Sequence, residues 1–336
     1  MADVTDPAFR RLIATYGKPD VMWTEFVSAN GLMSAGRETL QRDLAYAELE
    51  RPIVAQIFSA DPEKIEGAAR LCKELGFDGI DINMGCPDKT IEKQGAGAAM
   101  IKTPDIAVAI IAAAKRGAQG LPVSVKTRVG YNTVQIQEWI PLLLKQDIAA
   151  LTVHARTRKE MSKVPAHWEY LKEVVELRDK LAPNTVIIGN GDVTSLADGK
   201  QKAAETGVDG IMVGRALFGN PWFFDESREM TASIPKKSVF QKLPFFGKLF
   251  QTRRTAAQSA IKPITVSERL TVMAEHTKLF EALLGDIKSF SIMKKHYKAY
   301  CTGFPGAKEL RMQLMESQNS KEVEAAVEAF LTNMSR

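Results

Sequence analysis

One cysteine in this 336-residue sequence stands where it could do chemistry. Cys86 lies in the stretch Asn83 to Lys89, directly after an apolar run from Gly79 to Ile82 that reads as a strand. A barrel strand delivers its following loop to the active-site face, which would expose the thiol there. With a reference pKa of about 8.5, a thiol suits a general acid near neutral pH better than a carboxyl near about 4. The plainer alternative, equally open on chemistry alone, is a tight Gly85-Cys86-Pro87 turn with the cysteine tucked in. Lys126 stands near the end of the apolar run Val123 to Arg128, and His154 closes Ala150 to His154. A charge in such a strand is expensive unless it is paired or faces a polar ligand. With Gln56, on the run Val54 to Phe58, they would form a polar ring able to hold the edge of a flat cofactor. A satisfied core histidine is the competing reading.

Two glycine-rich stops follow later strands, at Asn190-Gly191-Asp192 and at Gly214-Arg215. In barrels, the last two loops commonly build a phosphate site from backbone N–H groups and a short helix terminus. Glycine lets the backbone approach the anion, and Arg215 could add charge-assisted bonds. The implied ligand is a cofactor with a single phosphate. Gln94 to Met100 resembles a dinucleotide fingerprint only superficially. It lies some way past its strand and no suitably placed acid completes the unit, so no Rossmann NAD domain is expected.

The elements that must position these residues alternate over the first 220 positions. Strands are predicted at Asp20–Phe26, Pro52–Phe58, Gly79–Asn83, Val123–Thr127, Ala150–His154, Thr185–Ile188 and Gly210–Val213. Helical patterns run from Pro62 to Leu75, Pro104 to Ala114 and Leu171 to Lys180, with Asp61 and Thr103 as caps before first-turn prolines. The predicted fold is α/β, a (β/α)8 TIM barrel lacking or truncated at its first strand, since seven strands are visible and eight are needed. An open doubly wound sheet is disfavoured because polar residues gather at the ends of nearly every strand rather than at one switch point. A small all-helical domain follows, with helices at Ser267 to Leu284, Asp286 to Tyr300 and Lys321 to Leu331 and no strand. The expected division is a catalytic barrel over 1–235, a connecting segment over 236–262 and a helical domain over 263–336.

Charge is uneven along the chain. Residues 231–336 carry 17 Lys and Arg against 9 Asp and Glu, a surplus of eight in a chain of net charge +5, leaving −3 for residues 1–230. A basic second part suggests a polyanionic partner. On one helix, Lys288, Lys295 and Lys298 would share a face, with Lys294 on a flank and Phe290, Met293 and Tyr297 opposite. A solvated amphipathic helix is the plainer reading. Cys72, Cys86 and Cys301 are far apart, which supports neither a disulfide framework nor a metal site. No apolar run approaches the about 20 residues that span a bilayer, and no signal peptide is visible, so a cytoplasmic protein with no membrane partner is expected, and a monomer.

Over nearly its whole length the sequence resembles the tRNA-dihydrouridine synthase family. The resemblance is carried by Val4 to Arg10, Asn83 to Pro87, Gly95 to Ala98, Val125 to Arg128, Val153 to Thr157, Gly189 to Asp192 and Gly214-Arg215. It implies an FMN-containing barrel with a C-terminal helical domain that reduces uridine in tRNA using NADPH. Cys86 would then give a proton to uridine C5 while reduced flavin gives hydride to C6. Gln56, Lys126 and His154 would contact the isoalloxazine, and Asn190, Gly191, Asp192, Gly214 and Arg215 the phosphate. Asn83 and Arg128 would hold the uracil or ribityl region, and Arg156 and Arg158 would lie near the RNA opening. The chain departs from the family at its start, where only Met1 remains of a flavin-touching turn. His167 and Trp168 fall near the mouth with no role beyond packing. The rivals are a flavin barrel reducing a free pyrimidine or similar small substrate, and a non-catalytic RNA-binding protein.

Overall fold

Seven runs rich in Val and Ile become parallel strands, named here β1 (Met22–Ser28), β2 (Ile53–Phe58), β3 (Gly79–Asn83), β4 (Val123–Arg128), β5 (Ala150–His154), β6 (Val186–Asn190) and β7 (Gly210–Met212). The computed structural model describes residues 4–230 and 262–334. Each strand pairs with the next in sequence, giving a curled TIM-barrel-like sheet with β1 and β7 at its edges. All seven expected strands form, within two residues of where the apolar runs place them.

Helices cover the sheet: α1 (Pro7–Tyr16), α2 (Pro62–Glu74), α3 (Pro104–Ala118), α4 (Ile136–Leu144), α5 (Tyr170–Leu181) and α6 (Leu196–Thr206). Asp61 caps α2 by accepting from the Glu63 and Lys64 amides, as its place before Pro62 suggests. Thr103 makes no such bond before Pro104.

Beyond the barrel, β8 (Arg228–Met230) pairs in parallel with β9 (Lys262–Ile264). This corrects the expectation that no strand follows the barrel. Three residues containing Pro263 are too few to show a period, and proline is tolerated only at a sheet edge. Helices α7 (Val266–Leu284), α8 (Met293–Tyr300), α9 (Ala307–Glu316) and α10 (Ser320–Met334) complete the chain. The helix expected from Asp286 is shorter: a 3-10 turn at Phe290–Ile292 precedes α8. Lys288 therefore lies off the helix, in the connection from α7.

The apolar interior forms two clusters, one inside the barrel and one among α7 to α10. Helix α1 serves both, with Phe9 and Ile13 in the first and Ala8 and Leu12 in the second. At this seam Phe9 packs on His276 and His296 at 5.5 and 5.3 Å between ring centres, and Phe218 stacks on His296. Polar links join the same parts: Tyr16 to Glu275 at 2.5 Å and Arg42 to Asp286 at 2.5 Å. Among the described residues no helix is long and apolar enough to cross a membrane.

Both seam histidines are fully buried and no ring nitrogen has a partner. Burial pushes His296 down to about 3, with the Lys295 charge adding to it, and holds His276 well below the usual range. An unfolded chain protonates both at about 6.5 while the folded one protonates neither. Their contribution to stability is therefore full above that pH and lost as pH falls below it, at about 1.4 kcal/mol per histidine per pH unit. Asp6 and Asp81, both raised to about 6 by burial, act in the opposite sense below pH 6. His296→Phe is expected to remove about 2 kcal/mol of the loss between pH 6.5 and 5. Urea midpoints at the two pH values check this, and an unchanged loss would mean that the ring is already charged or solvated.

Candidate active site

Parallel pairing brings the polar residues at the strand ends into register. Gln56 lies beside Asp81 and Asp81 beside Ser124; Asn83 lies beside Lys126 and Lys126 beside Thr152; Arg128 lies beside His154 and His154 beside Asn190. Period-two alternation then turns alternate side chains of each strand to the same side. In the first of these rows, Gln56 Nε2 donates to Asp81 Oδ2 at 2.6 Å and Ser124 Oγ to Asp81 Oδ1 at 2.6 Å. Asn83 Nδ2 donates to Gln56 Oε1 at 3.0 Å. Asn83 Oδ1 accepts from the amides of Gly85 at 3.1 Å and Cys86 at 2.9 Å.

The Cys86 loop is therefore built from below, and it is gripped from the side as well. Arg128 Nε donates to the Gly85 carbonyl at 2.7 Å, and its Nη1 donates to the carbonyls of Thr157 and Met161, both at 3.1 Å. Thr127 Oγ1 donates to the Met84 carbonyl at 3.3 Å and itself accepts from Trp139 Nε1 at 2.8 Å. Gly97 packs beneath the loop with φ +62°, and a Cβ there would sit 2.7 Å from the Cys86 carbonyl. Cys86 itself is half-buried, whereas Cys72 and Cys301 are fully buried. Burial pushes the Cys86 thiol up, against the nearby Arg128 and Lys126 charges.

Lys126 supplies the positive charge of the wall. Burial pushes its ammonium down to about 8, the Arg128 charge adds to this, and the Asp81 carboxylate works against it. His154 is held neutral, lowered to about 2 first by burial and then by the surrounding Lys126, Arg128, Arg156 and Arg215 charges. Arg156 Nη1 lies 3.1 Å from His154 Nε2. A guanidinium can only donate, so the ring proton sits on Nδ1.

The late loops turn sharply. Gly191 has φ +129° and Asp192 φ +48°, and a Cβ on Gly191 would lie 2.8 Å from Ala166 Cβ and 3.1 Å from the His154 ring. Trp168 Nε1 donates to the Gly191 carbonyl at 2.7 Å, and Asn190 Nδ2 to the Met212 carbonyl at 2.8 Å. The Asp192 carboxylate accepts from Arg156, from the Ala166 amide at 3.0 Å and from Arg215 at 2.6 Å. Among the described residues, the amides of Asp192, Gly214 and Arg215 donate to no protein acceptor.

Several expected contacts fall elsewhere. Arg156, expected near the RNA opening, is 2% exposed and bonded to the Val164 carbonyl, His154 and Asp192, so its guanidinium is spent inside the protein. Arg158 reaches the rim but is paired with Glu92 and lies over Tyr131. Lys288, 13% exposed, pairs with Glu25 at 3.1 Å and Asp43 at 2.8 Å, joining the α7–α8 connection to the barrel. Its place on a cationic helix face is corrected accordingly. Helix α8 buries Met293, His296, Tyr297 and Tyr300, which leaves Lys295 and Lys298 exposed and Lys294 half-buried. Met1 lies outside the described residues. Asp81 and Glu92 were missed, and Trp168 was given packing alone. Alternation along Gly79 to Asn83 would have found Asp81, which shares a face with Asn83.

Residues 1–335 match the family described as Dihydrouridine synthase (Dus). The chain is 37% identical over 338 residues to the Probable tRNA-dihydrouridine synthase of Staphylococcus aureus (strain COL), covering 99% of this chain and 92% of the relative. It is 38% identical over 332 residues to the Probable tRNA-dihydrouridine synthase 2 of Bacillus subtilis (strain 168), covering 98% and 92%. Among solved structures, the old yellow enzyme homologue from Zymomonas mobilis aligns with a TM-score of 0.46 at 14% identity, over 65% of this chain and 82% of that one. At that level of likeness nothing about chemistry follows.

Proposed function

This chain belongs to the dihydrouridine synthase family, and from that premise we propose that it reduces the C5=C6 bond of a uridine in tRNA, with FMN as cofactor and NADPH as reductant. One observation carries the chemistry: a half-buried thiol, kept protonated by burial, stands on a rigidly held loop beside a wall of hydrogen-bond donors.

That wall fits FMN. Lys126, the His154 Nδ1–H, Arg215 and the free amides of Asp192, Gly214 and Arg215 all donate. The pyrimidine edge and phosphate of a flavin offer acceptors in return. Lys126 and His154 would take the ring, and Asn190, Gly191, Asp192, Gly214 and Arg215 the phosphate. Gln56 and Asn83 each keep one amide hydrogen for it. When bound, FMN supplies hydride for uridine C6.

Cys86 gives its proton to C5, and the Asn83 and Arg128 bonds hold it in place to do so. Arg128 has Nη2 left for a uracil carbonyl. A uridine in a folded arm must first leave its stack, at a cost of a few kcal/mol, roughly. Lysines on α8 can offset this by binding the RNA backbone, in a reaction assigned by this proposal to the cytoplasm. Replacing Lys294, Lys295 and Lys298 by Ala is expected to weaken tRNA binding and lower its salt slope by roughly three, leaving the flavin spectrum unchanged. An unchanged dissociation constant across salt concentrations would place the binding surface elsewhere.

Comparing NADPH-dependent reduction of tRNA transcripts and of free uridine tests the proposal. Preference for the transcript is expected. Equal reduction of free uridine would favour a small-pyrimidine reductase, and a folded protein that takes up no flavin would favour a non-catalytic RNA binder.

A further inference from the structure

Asp81 is fully buried in β3 and takes no part in the chemistry above. Both of its oxygens are committed, Oδ1 to Ser124 and Oδ2 to Gln56. A carboxylate only accepts, whereas a primary amide offers a donor on one side and an acceptor on the other and can be turned either way. Asp81 therefore decides how Gln56 lies: nitrogen toward Asp81, oxygen toward Asn83. Asn83 must in turn give Nδ2 to Gln56, which leaves Oδ1 for the amides of Gly85 and Cys86. Were Gln56 reversed, Asn83 would present its NH2 to those two amides, donor against donor, and the loop would lose both anchors.

We infer that Asp81 is a positioning residue for the proton donor, fixing the Cys86 loop through Gln56 and Asn83. The inference rests on Cys86 being that donor, and it adds a direction to the network. The order of information runs from a single charge in β3, through Gln56 on the neighbouring β2 and Asn83 at the end of β3, to the backbone that carries the thiol. Arg128 and Thr127 hold the same loop by its carbonyls, so loss of the relay would displace the Cys86 end of the loop without unfolding it.

The test uses the FMN-loaded enzyme with Asp81→Leu, which keeps bulk and removes both acceptors, and Asp81→Asn. The asparagine can still accept from Gln56 through its oxygen while its NH2 donates to Ser124. Three quantities are measured: flavin reduction by NADPH, anaerobic reoxidation by tRNA, and the alkylation rate of Cys86 with iodoacetamide. Cys72 and Cys301 are buried and act as internal controls. Asp81→Leu is expected to slow reoxidation by about 10²-fold, to change Cys86 alkylation by about tenfold, and to leave flavin reduction within about threefold. Asp81→Asn is expected to return the first two to near the wild-type rates. Wild-type reoxidation and alkylation in Asp81→Leu would overturn the inference, as would an equal loss of both half-reactions that asparagine fails to rescue. If Asp81→Leu does not fold, Gln56→Met breaks the relay one step higher, and unaltered Cys86 alkylation there would overturn it equally. If wild-type enzyme leaves tRNA unreduced, the proposed function fails by itself and alkylation alone decides the relay.

Discussion

Cys86→Ala is expected to slow reoxidation of the reduced flavin by tRNA about 10²–10⁴-fold, roughly 3–5 kcal/mol of barrier, while NADPH still reduces the flavin at its normal rate. The first half-reaction moves a hydride and needs no thiol, whereas C5 of the base must receive a proton as C6 receives hydride. Cys86→Ser is expected to be impaired nearly as much, because an alcohol is a far weaker acid than a thiol. Cys72→Ala and Cys301→Ala separate this from damage to the fold, since both thiols lie in apolar interiors away from the wall. Stopped-flow absorbance of the two half-reactions checks the split. A Cys86→Ala enzyme that loses both equally would make the cysteine a structural turn residue.

Lys126→Met should weaken FMN binding by about 10- to 100-fold, the effect of losing a hydrogen bond from a charged donor. The titration of Lys126 adds a pH signature. With the ammonium lowered to about 8, Lys126 is charged below that pH and neutral above it. An acceptor-rich ligand favours the charged form, so the wild-type dissociation constant should rise as pH climbs through 8. Lys126→Met, with nothing to titrate, should show a flatter curve. Flavin fluorescence titrations at pH 7 and 9 measure both. Equal affinity in the variant at pH 7 would remove Lys126 from the cofactor site.

How much of this was legible in the sequence depended on the range of the interactions involved. The barrel was legible because each strand is a local apolar run, most of them followed within a few residues by Gly, Pro or Asp, and its seven strands fall where those runs do. Cys86, Lys126 and His154 were legible for the related reason that a polar group at the end of such a run must have something to face. What could not be read was which cations are already spent. Arg156, just after β5, is consumed by the Val164 carbonyl and the Asp192 carboxylate, while Arg128 in β4 spends Nε and Nη1 on the carbonyls of Gly85, Thr157 and Met161 and keeps Nη2 alone. Lys288 finds Glu25 across 263 positions of chain, a partner no helical wheel displays. The wheel failed there for a second reason, since the chain leaves α7 at Gly285 and does not resume a helix until Met293. Trp168 was read as packing because an indole in an apolar setting usually is, yet its N–H holds the Gly191 carbonyl. Asp81 went unread because it sits between two isoleucines, where its strand looks purely structural.

The most direct test of the account mixes FMN-loaded enzyme, prereduced with NADPH and freed of excess reductant and oxygen, with an unmodified tRNA transcript. Flavin absorbance is followed, and the recovered tRNA is digested for nucleoside mass spectrometry. The account requires the flavin to reoxidise in step with the appearance of dihydrouridine, one per flavin oxidised, and both to be nearly abolished in Cys86→Ala. Flavin that stays reduced in the presence of the transcript, or that reoxidises with no dihydrouridine formed, would contradict it.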